Sequence, residues 1–202
     1  MLPWSALVLV QIPGISRCTG FLLGPRLAVT AAHCLYGARV RHMLGAGSVH
    51  VLSGYSAGDY ARHSVAVSYR VPAAFVGGDG GQSRGADVAV LVLAEPVGSV
   101  ALQLAAARPG EAAMLGGYNQ DRAQVLLADP ACQVIGAVAD PAGRPLRRHS
   151  CAGTRGTSGA PLLVREAGSG PWAAAGVQVA AENGDSGGLA VPEETIQALL
   201  AR

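Results

Sequence analysis

Glycine and proline interrupt this sequence so often that long helices have little room. The chain has 28 Gly and 12 Pro among 202 residues, and the apolar stretches between them are short. Short apolar stretches bounded by turn residues are typical of β-strands. Only Glu193 to Ala201 has helical character, with two acids in its first turn and Ile196, Leu199 and Leu200 at helical spacing. The sequence therefore predicts an all-β protein with a closing helix at about residues 193–201.

The predicted strands fall into two groups. The stretch Ala94 to Pro109 joins two strand-rich halves of similar length, which predicts two packed β-barrels, residues 1–100 and 101–202, with a site between them. The segments predicted as strands are Ala6–Ile12, Thr19–Leu23, Arg26–Thr30, Ser48–Leu52, Ser64–Val71, Val88–Leu93, Ala112–Leu115, Gln124–Leu127, Cys132–Val138, Pro161–Val164, Trp172–Val179 and Leu189–Val191.

Composition excludes several classes of protein. With 50% hydrophobic and 14% charged residues, the chain is too apolar to be disordered. All 15 basic residues are Arg, but they are scattered and the net charge is only +2, so nucleic-acid binding is not expected. Polar residues and prolines interrupt the most apolar stretch before it reaches the roughly 18 residues of a membrane span. We expect no membrane segment.

Four cysteines form no C-x-x-C pair and have no histidine at ligand spacing, so neither a metal site nor a cofactor is predicted. Two disulfides explain the four cysteines better than a metal site does. If Cys18 joins Cys34 and Cys132 joins Cys151, the loops span 16 and 19 residues, each worth about 3 kcal/mol of stability on a chain-entropy estimate. Disulfides indicate an oxidising compartment, so we expect a secreted or periplasmic protein whose export signal lies upstream or has been removed.

Three segments contain residue types suited to nucleophilic catalysis: T-A-A-H-C at residues 30–34, D-V-A-V-L at 87–91 and G-T-S-G-A-P at 156–161. Each alone has an ordinary structural explanation, since His beside Cys, Asp opening a strand and Ser between glycines are all common. Together they supply a base (His33), an orienting carboxylate (Asp87) and a nucleophile (Ser158). A serine hydroxyl needs such partners to attack an acyl carbon.

The order and spelling of these motifs resemble a chymotrypsin-fold, trypsin-like serine protease over nearly the full length of the chain. The resemblance is closer to the bacterial branch of V8-type glutamyl endopeptidases, and the composition, Arg without Lys, is compatible with a bacterial origin. It implies two six-stranded barrels with His33 and Asp87 in the first and Ser158 in the second. His33 would act as the general base, Asp87 would orient it, and the N–H groups of Gly156 and Ser158 would form an oxyanion hole.

Two other interpretations compete with this one. Ser186 lies in the string G-D-S-G-G at residues 184–188, but too few residues follow it to build a pocket and a helix, so we interpret 183–188 as a turn. An α/β-hydrolase needs a His after its Ser, and no histidine follows His149. The histidines other than His33 are expected to have surface or structural roles. A catalytically silent binding module on the protease fold remains the alternative function.

Thr157 stands where digestive relatives of this family carry Asp. In those relatives the Asp receives the new N-terminus after propeptide cleavage, and a neutral threonine forms no such ion pair. We therefore expect activity without an N-terminal switch. Local hydrogen bonds, from Thr157 and from the nearby Cys151 tether, are expected to hold the oxyanion loop.

The resemblance also implies where a specificity pocket lies. No acidic residue occupies the position that would select Arg or Lys, and Gln178 stands where glutamyl endopeptidases carry His, so neither basic nor acidic specificity is expected. The expected partner is a peptide or protein substrate, with no nucleic acid or membrane, and a monomer is expected. The predicted pocket residues are Ala152, Gly153, Thr154, Gln178, Val179 and Gly188.

Overall fold

The structure is a computed structural model that describes residues 3–118, 125–153, 156–165, 170–182 and 187–201. Within these ranges the chain consists of β-strands and short 3₁₀ turns, followed by one α-helix near its end. The all-β prediction is confirmed. None of the described helices has the length and apolar character that crossing a bilayer requires.

The first half of the chain forms a closed barrel of six antiparallel strands, in the order β1-β2-β3-β8-β7-β6, and a separate hairpin. Leu7 and Leu9 point away from the barrel interior while Val8 and Val10 fill it, yet all four are buried. The first strand is apolar on both faces because its outer face packs on the rest of the protein. The strands are β1 (Leu7–Ile12), β2 (Ser16–Gly24), β3 (Leu27–Thr30), β6 (His50–Ser53), β7 (Arg62–Arg70) and β8 (Ala89–Leu93), with the hairpin β4 (Tyr36–Gly37) and β5 (His42–Met43).

The second half forms a sheet in the order β13-β10-β11-β12-β15-β14-β9, in which an additional pairing of β13 with β14 closes a six-stranded barrel. The short strand β9 is added to β14 in parallel orientation. The elements are β9 (Gln103–Leu104), β10 (Ala112–Gly117), β11 (Leu127–Ala139), β12 (Pro145–His149), β13 (Pro161–Arg165), β14 (Trp172–Ala181), β15 (Gly188–Pro192) and the helix α1 (Glu193–Leu200).

A cluster of buried apolar side chains, which we call the seam, joins the two barrels. Leu7 and Phe21 of the first barrel meet Leu163 of the second, and Ile196 and Leu199 of α1 pack into the same cluster. Each barrel also has its own interior cluster. The predicted pair of packed barrels with a closing helix is confirmed.

One pair of predicted strands is wrong. Gln124–Leu127 and Cys132–Val138 were expected to be separate, but Leu127–Ala139 is a single strand, and Gln124 lies outside the described residues. Pro130 lies within this strand. The register between β10 and β11 shifts at this point, so that residues 130 and 131 face one residue of β10. Such a bulge accommodates a proline, which has no N–H to donate to the ladder.

The strand β12 was not predicted. Its sequence carries Arg147 and Arg148, which hide the apolar pattern of a strand. The structure shows their partners: Arg147 forms an ion pair with Glu193 at the start of α1, and Arg148 forms one with Glu182.

Both predicted disulfides are present, joining Cys18 to Cys34 and Cys132 to Cys151. The first ties β2 to the turn that follows β3. The second ties β11 to the segment that follows β12.

We expect the seam to make the two barrels unfold together. Phe21 is fully buried in it, so Phe21→Ala should lower the free energy of unfolding by about 3–5 kcal/mol. Val67 is 60% exposed, and the control Val67→Ala should change it by less than about 0.5 kcal/mol. Urea unfolding followed by tryptophan fluorescence and by circular dichroism measures both. A small effect of Phe21→Ala, or two separate transitions, would contradict the role of the seam.

Candidate active site

His33 and Asp87 meet because the strands next to them are paired. His33 lies in a 3₁₀ turn directly after β3, and Asp87 lies just before β8. The two strands are antiparallel with Thr30 opposite Ala89, so the residue groups that follow β3 and precede β8 lie at the same end of the barrel. The tertiary pairing therefore brings together two residues that are 54 positions apart.

One carboxylate holds both the ring and the backbone of His33. Nδ1 of His33 lies 2.6 Å from Oδ2 of Asp87, and the main-chain N–H of His33 donates to Oδ1 at 2.8 Å. A carboxylate accepts hydrogen bonds, so the proton of the neutral ring is on Nδ1. Nε2 is left with a free lone pair, which is the arrangement a general base needs.

Opposing effects set the pKa of His33. Burial acts to lower the pKa, and so does the positive charge of Arg84, whereas the hydrogen bond to Asp87 and its negative charge act to raise it. The influence of Asp87 prevails, and the pKa of His33 lies above the ordinary value of imidazole.

Ser158 is attached to the first barrel through its backbone. The N–H of Thr19 donates to the Ser158 carbonyl at 2.9 Å. The next residue, Gly159, has a φ of +85°, and a Cβ there would lie 2.1 Å from the Thr19 carbonyl oxygen and 3.0 Å from the Ala31 nitrogen. Only glycine allows this approach, which places residues 158 and 159 against the segment that leads into His33. The Ser158 hydroxyl has no hydrogen-bond partner within the described residues.

In the loop before Ser158, the carbonyls of Gly156 and Thr157 are hydrogen-bonded, and two N–H groups are available. Gly156 has a φ of +99°, and its carbonyl accepts a hydrogen bond from the Thr19 hydroxyl at 2.9 Å. Over the ranges that the structure describes, no backbone carbonyl accepts from the N–H of Gly156 or of Ser158. Two such donors close to a nucleophile are suited to binding a developing oxyanion.

Of the predicted pocket residues, Gly153, Gln178 and Gly188 are neighbours, Val179 lines the cavity beside His33, and Thr154 lies outside the described residues. Gln178 is buried, and its amide nitrogen would lie 3.1 Å from a Cβ at Gly153 and 2.7 Å from one at Gly188. The backbone of Gln178 bonds to Gly159 and Ala160. The side chain of Gln178 therefore lies between two glycines, and its backbone is bonded to the two residues that follow Ser158.

His149, which was expected to have a structural role, is fully buried and contacts Gln178. Its Nε2 lies 2.6 Å from Oε1 of Gln178, and its Nδ1 accepts the N–H of Cys151 at 3.2 Å. The proton is therefore on Nε2, which donates to Gln178. Burial lowers the pKa of His149 despite the hydrogen bond to Gln178. The pair is neutral. The side-chain amide of Gln178 donates one hydrogen bond to the Ala180 carbonyl at 2.9 Å.

A cavity of about 270 Å³ opens beside His33. It is lined by His33, Asp87 and Val179 and by the glycine-rich loop that carries Asp79 and Arg84. Asp79 shapes this loop, because its two carboxylate oxygens accept the N–H groups of residues 81 and 83 at 2.8 and 2.7 Å.

The donor atoms of Cys18, His33 and Cys34 lie close together, as in a metal site. Both sulfurs belong to the disulfide between Cys18 and Cys34. Metal binding by cysteine requires the thiolate, so this cluster does not suit a metal ion.

The rival serine, Ser186, lies outside the described residues. The strands β14 and β15 are antiparallel neighbours, with Ala181 opposite Gly188. The segment that contains Ser186 therefore connects two adjacent strands of the second barrel.

Comparisons with known proteins agree with this architecture. The trypsin family profile matches residues 2–200. A solved structure of a Glu endopeptidase in complex with MPD is similar with a TM-score of 0.71 and 21% identity, covering 100% of this chain and 93% of that chain. An inactive form of the Rv3671c protease is similar with a TM-score of 0.69 and 19% identity, covering 98% of this chain and 89% of that chain.

A Ser-to-Ala mutant of Rv3671c from M. tuberculosis H37Rv, also in an inactive form, has a TM-score of 0.69 and 20% identity, with coverage of 98% of this chain and 86% of that chain. Among curated proteins, none matches. At these identities the solved structures are evidence for the fold alone, whereas the family profile spans both barrels. The chain belongs to the trypsin family.

Proposed function

We propose that the chain is a serine endopeptidase that uses Ser158, His33 and Asp87. The observation that carries the proposal is the twofold contact of Asp87 with His33, through Nδ1 at 2.6 Å and through the main-chain N–H at 2.8 Å. This contact leaves Nε2 as the basic nitrogen. The anchoring of the Ser158 backbone beside residues 30 and 31 supports the third role.

In the proposed reaction Ser158 Oγ attacks the peptide carbonyl carbon while its proton passes to Nε2 of His33. The N–H groups of Gly156 and Ser158 stabilise the oxyanion. The tetrahedral intermediate collapses, His33 gives its proton to the departing amine, and an ester to Ser158 remains. Water, deprotonated by His33, then hydrolyses this ester, and Ser158 is restored.

We propose that Ala152, Gly153, Gln178, Val179 and Gly188 line the pocket for the residue that precedes the cleaved bond. Gln178 and His149 form a neutral buried pair. A charged side chain buried against a neutral pair loses its hydration without an opposite charge to replace it. The pocket therefore favours an uncharged residue.

The two disulfides, Cys18–Cys34 and Cys132–Cys151, support a secreted or periplasmic location, since such bonds persist in oxidising compartments. We assign the two functional units to residues 1–100 and 101–202, one for each barrel. We propose that the protein is a monomer and that its substrates are peptides or proteins.

The alternative function is a binding module that keeps the fold without the chemistry. A fluorophosphonate probe distinguishes the two, because only an activated serine displaces the fluoride. We expect labelling of the folded protein, its loss in Ser158→Ala and its retention in Ser186→Ala, with mass spectrometry locating the label. Folded protein that stays unlabelled, or a label on Ser186, would contradict the assignment.

The activity should depend on the protonation of His33. The base must be neutral, and its pKa is raised, so kcat/KM should increase with pH through a midpoint above that of free imidazole. Arg84→Gln removes a charge that lowers this pKa, so its midpoint should move to higher pH. Arg26, paired with Glu95 on the surface, provides the control Arg26→Gln, whose midpoint should not change.

Asp87→Asn should lower kcat by about 10⁴-fold, because the amide favours the wrong tautomer of His33. Each pH profile is measured with one chromogenic peptide. A midpoint at or below that of imidazole in the wild type, or equal shifts in both arginine variants, would contradict this account of the site.

The neutral pocket generates a prediction about substrates. In a peptide series that differs only in the residue before the cleaved bond, Ala and Gln should give kcat/KM values at least about tenfold above those of Glu and Arg at pH 7.5. Gln178→His should raise the value for Glu alone. Efficient cleavage after Glu or Arg by the wild type would show that the pocket is not neutral.

A further inference from the structure

Thr19 connects the first barrel to the loop that precedes the proposed nucleophile. It lies on β2 directly after Cys18 and is fully buried. Its backbone is bonded on both sides: the N–H donates to the Ser158 carbonyl at 2.9 Å, and the carbonyl accepts the hydroxyl of Thr30 at 2.7 Å. These main-chain bonds do not depend on the side chain.

The hydroxyl of Thr19 makes two more hydrogen bonds, both to the second barrel. It donates to the Gly156 carbonyl at 2.9 Å and accepts the N–H of Tyr118 at 2.9 Å. The hydroxyl thus uses its donor and one of its lone pairs.

The bond to Gly156 restrains a glycine of the loop. The carbonyl of Thr157 accepts the N–H of Ala160 at 2.8 Å, and that of Ser158 accepts from Thr19. Gly156 has no side chain and a φ of +99°. The peptide group that follows it therefore has little intrinsic preference for one orientation. The Thr19 hydroxyl holds that peptide, and the N–H groups of Gly156 and Ser158 remain available for an oxyanion.

The surroundings keep the hydroxyl in place. A Cβ at Gly117 would lie 2.8 Å from Oγ1 of Thr19, so the glycine leaves the room that the hydroxyl occupies. Tyr118 is buried, donates its own hydroxyl to the Tyr55 carbonyl at 3.3 Å and packs edge-on against the Tyr55 ring. Thr19 is therefore fixed against a well-packed corner rather than a mobile segment.

We propose that Thr19 is a positioning residue for the hydrolytic reaction: its hydroxyl bond to Gly156 holds the oxyanion loop in its active arrangement. The inference rests on the proposed serine endopeptidase function. The expected restraint from Thr157 and the Cys151 tether is local, whereas the bond from Thr19 adds a restraint from the other barrel.

Thr19→Val tests the proposal, because valine has the same shape and keeps the main-chain bond to Ser158 but has no hydroxyl. We expect kcat to fall about 10- to 100-fold, since small displacements of catalytic donors have effects of this size. KM should stay within threefold of the wild type. Thr19→Ser restores the hydroxyl and should recover kcat to within threefold.

Ser64→Ala is the matched control. Ser64 is buried in the first barrel, and its hydroxyl accepts the N–H of Glu95 at 2.9 Å, away from the site. This variant should lose stability as Thr19→Val does, with kcat unchanged. The Ki of a peptide aldehyde, which forms an oxyanion with Ser158, should rise in Thr19→Val by the factor by which kcat falls.

The outcomes separate the two proposals. If the wild type neither cleaves peptides nor reacts with the fluorophosphonate, the proposed function is wrong. If the wild type is active and Thr19→Val keeps its kcat, or Thr19→Ser is equally slow, or Ser64→Ala is slowed as much, the role of Thr19 is wrong. Should Thr19→Val fail to fold, Thr19→Ala at reduced temperature supplies the same comparison of kcat and Ki.

Discussion

The seam of apolar side chains between the barrels holds residues next to His33, Asp87 and Gln178. Ala31 and Cys34 flank the turn of His33, Val88 follows Asp87, and Val177 precedes Gln178, and all four are buried in it. Core side chains are packed nearly as densely as organic crystals, so a buried neighbour fixes the position of the backbone beside it. The packing of the two barrels therefore restrains the backbone next to these three residues.

Thr19 forms hydrogen bonds across this apolar boundary, as Gly85 and Tyr55 also do. A hydroxyl removed from water must find partners, and those of Thr19 are Gly156 and Tyr118, both in the second barrel. Packing of the barrels and alignment of the proposed oxyanion donors are thus coupled through one side chain. A change in the relative position of the barrels would break bonds that orient the loop.

The site contains a buried anion and a neutral buried pair. Asp87 is the buried anion, and both of its oxygens bind His33, whereas the deeper pair of His149 and Gln178 is neutral. Burial lowers the pKa of His149. At His33 the adjacent carboxylate outweighs the effect of burial, and the pKa is raised. The pKa values of the two histidines therefore shift in opposite directions, because only His33 is hydrogen-bonded to an anion.

Reading the sequence alone predicts the all-β class, the closing helix and the two disulfides, and it points to His33, Asp87 and Ser158 as candidate site residues. Turn residues, apolar periodicity and short motifs are local properties, and they can be recognised without knowing the fold. The long strand with a bulge at Pro130 and the arginine-rich strand β12 were missed, because their pairing partners, rather than their own patterns, make them strands.

The hydrogen bonds that hold the residues around the site are visible in the tertiary structure alone. Thr19 and Gly156 are 137 positions apart, and His149 and Gln178 are 29 apart. A threonine after a cysteine and a histidine in an arginine-rich strand carry no local mark of these roles. Their hydrogen bonds exist because strand register and barrel packing bring distant segments within 3 Å of one another, and register is set by the whole sheet rather than by any one segment.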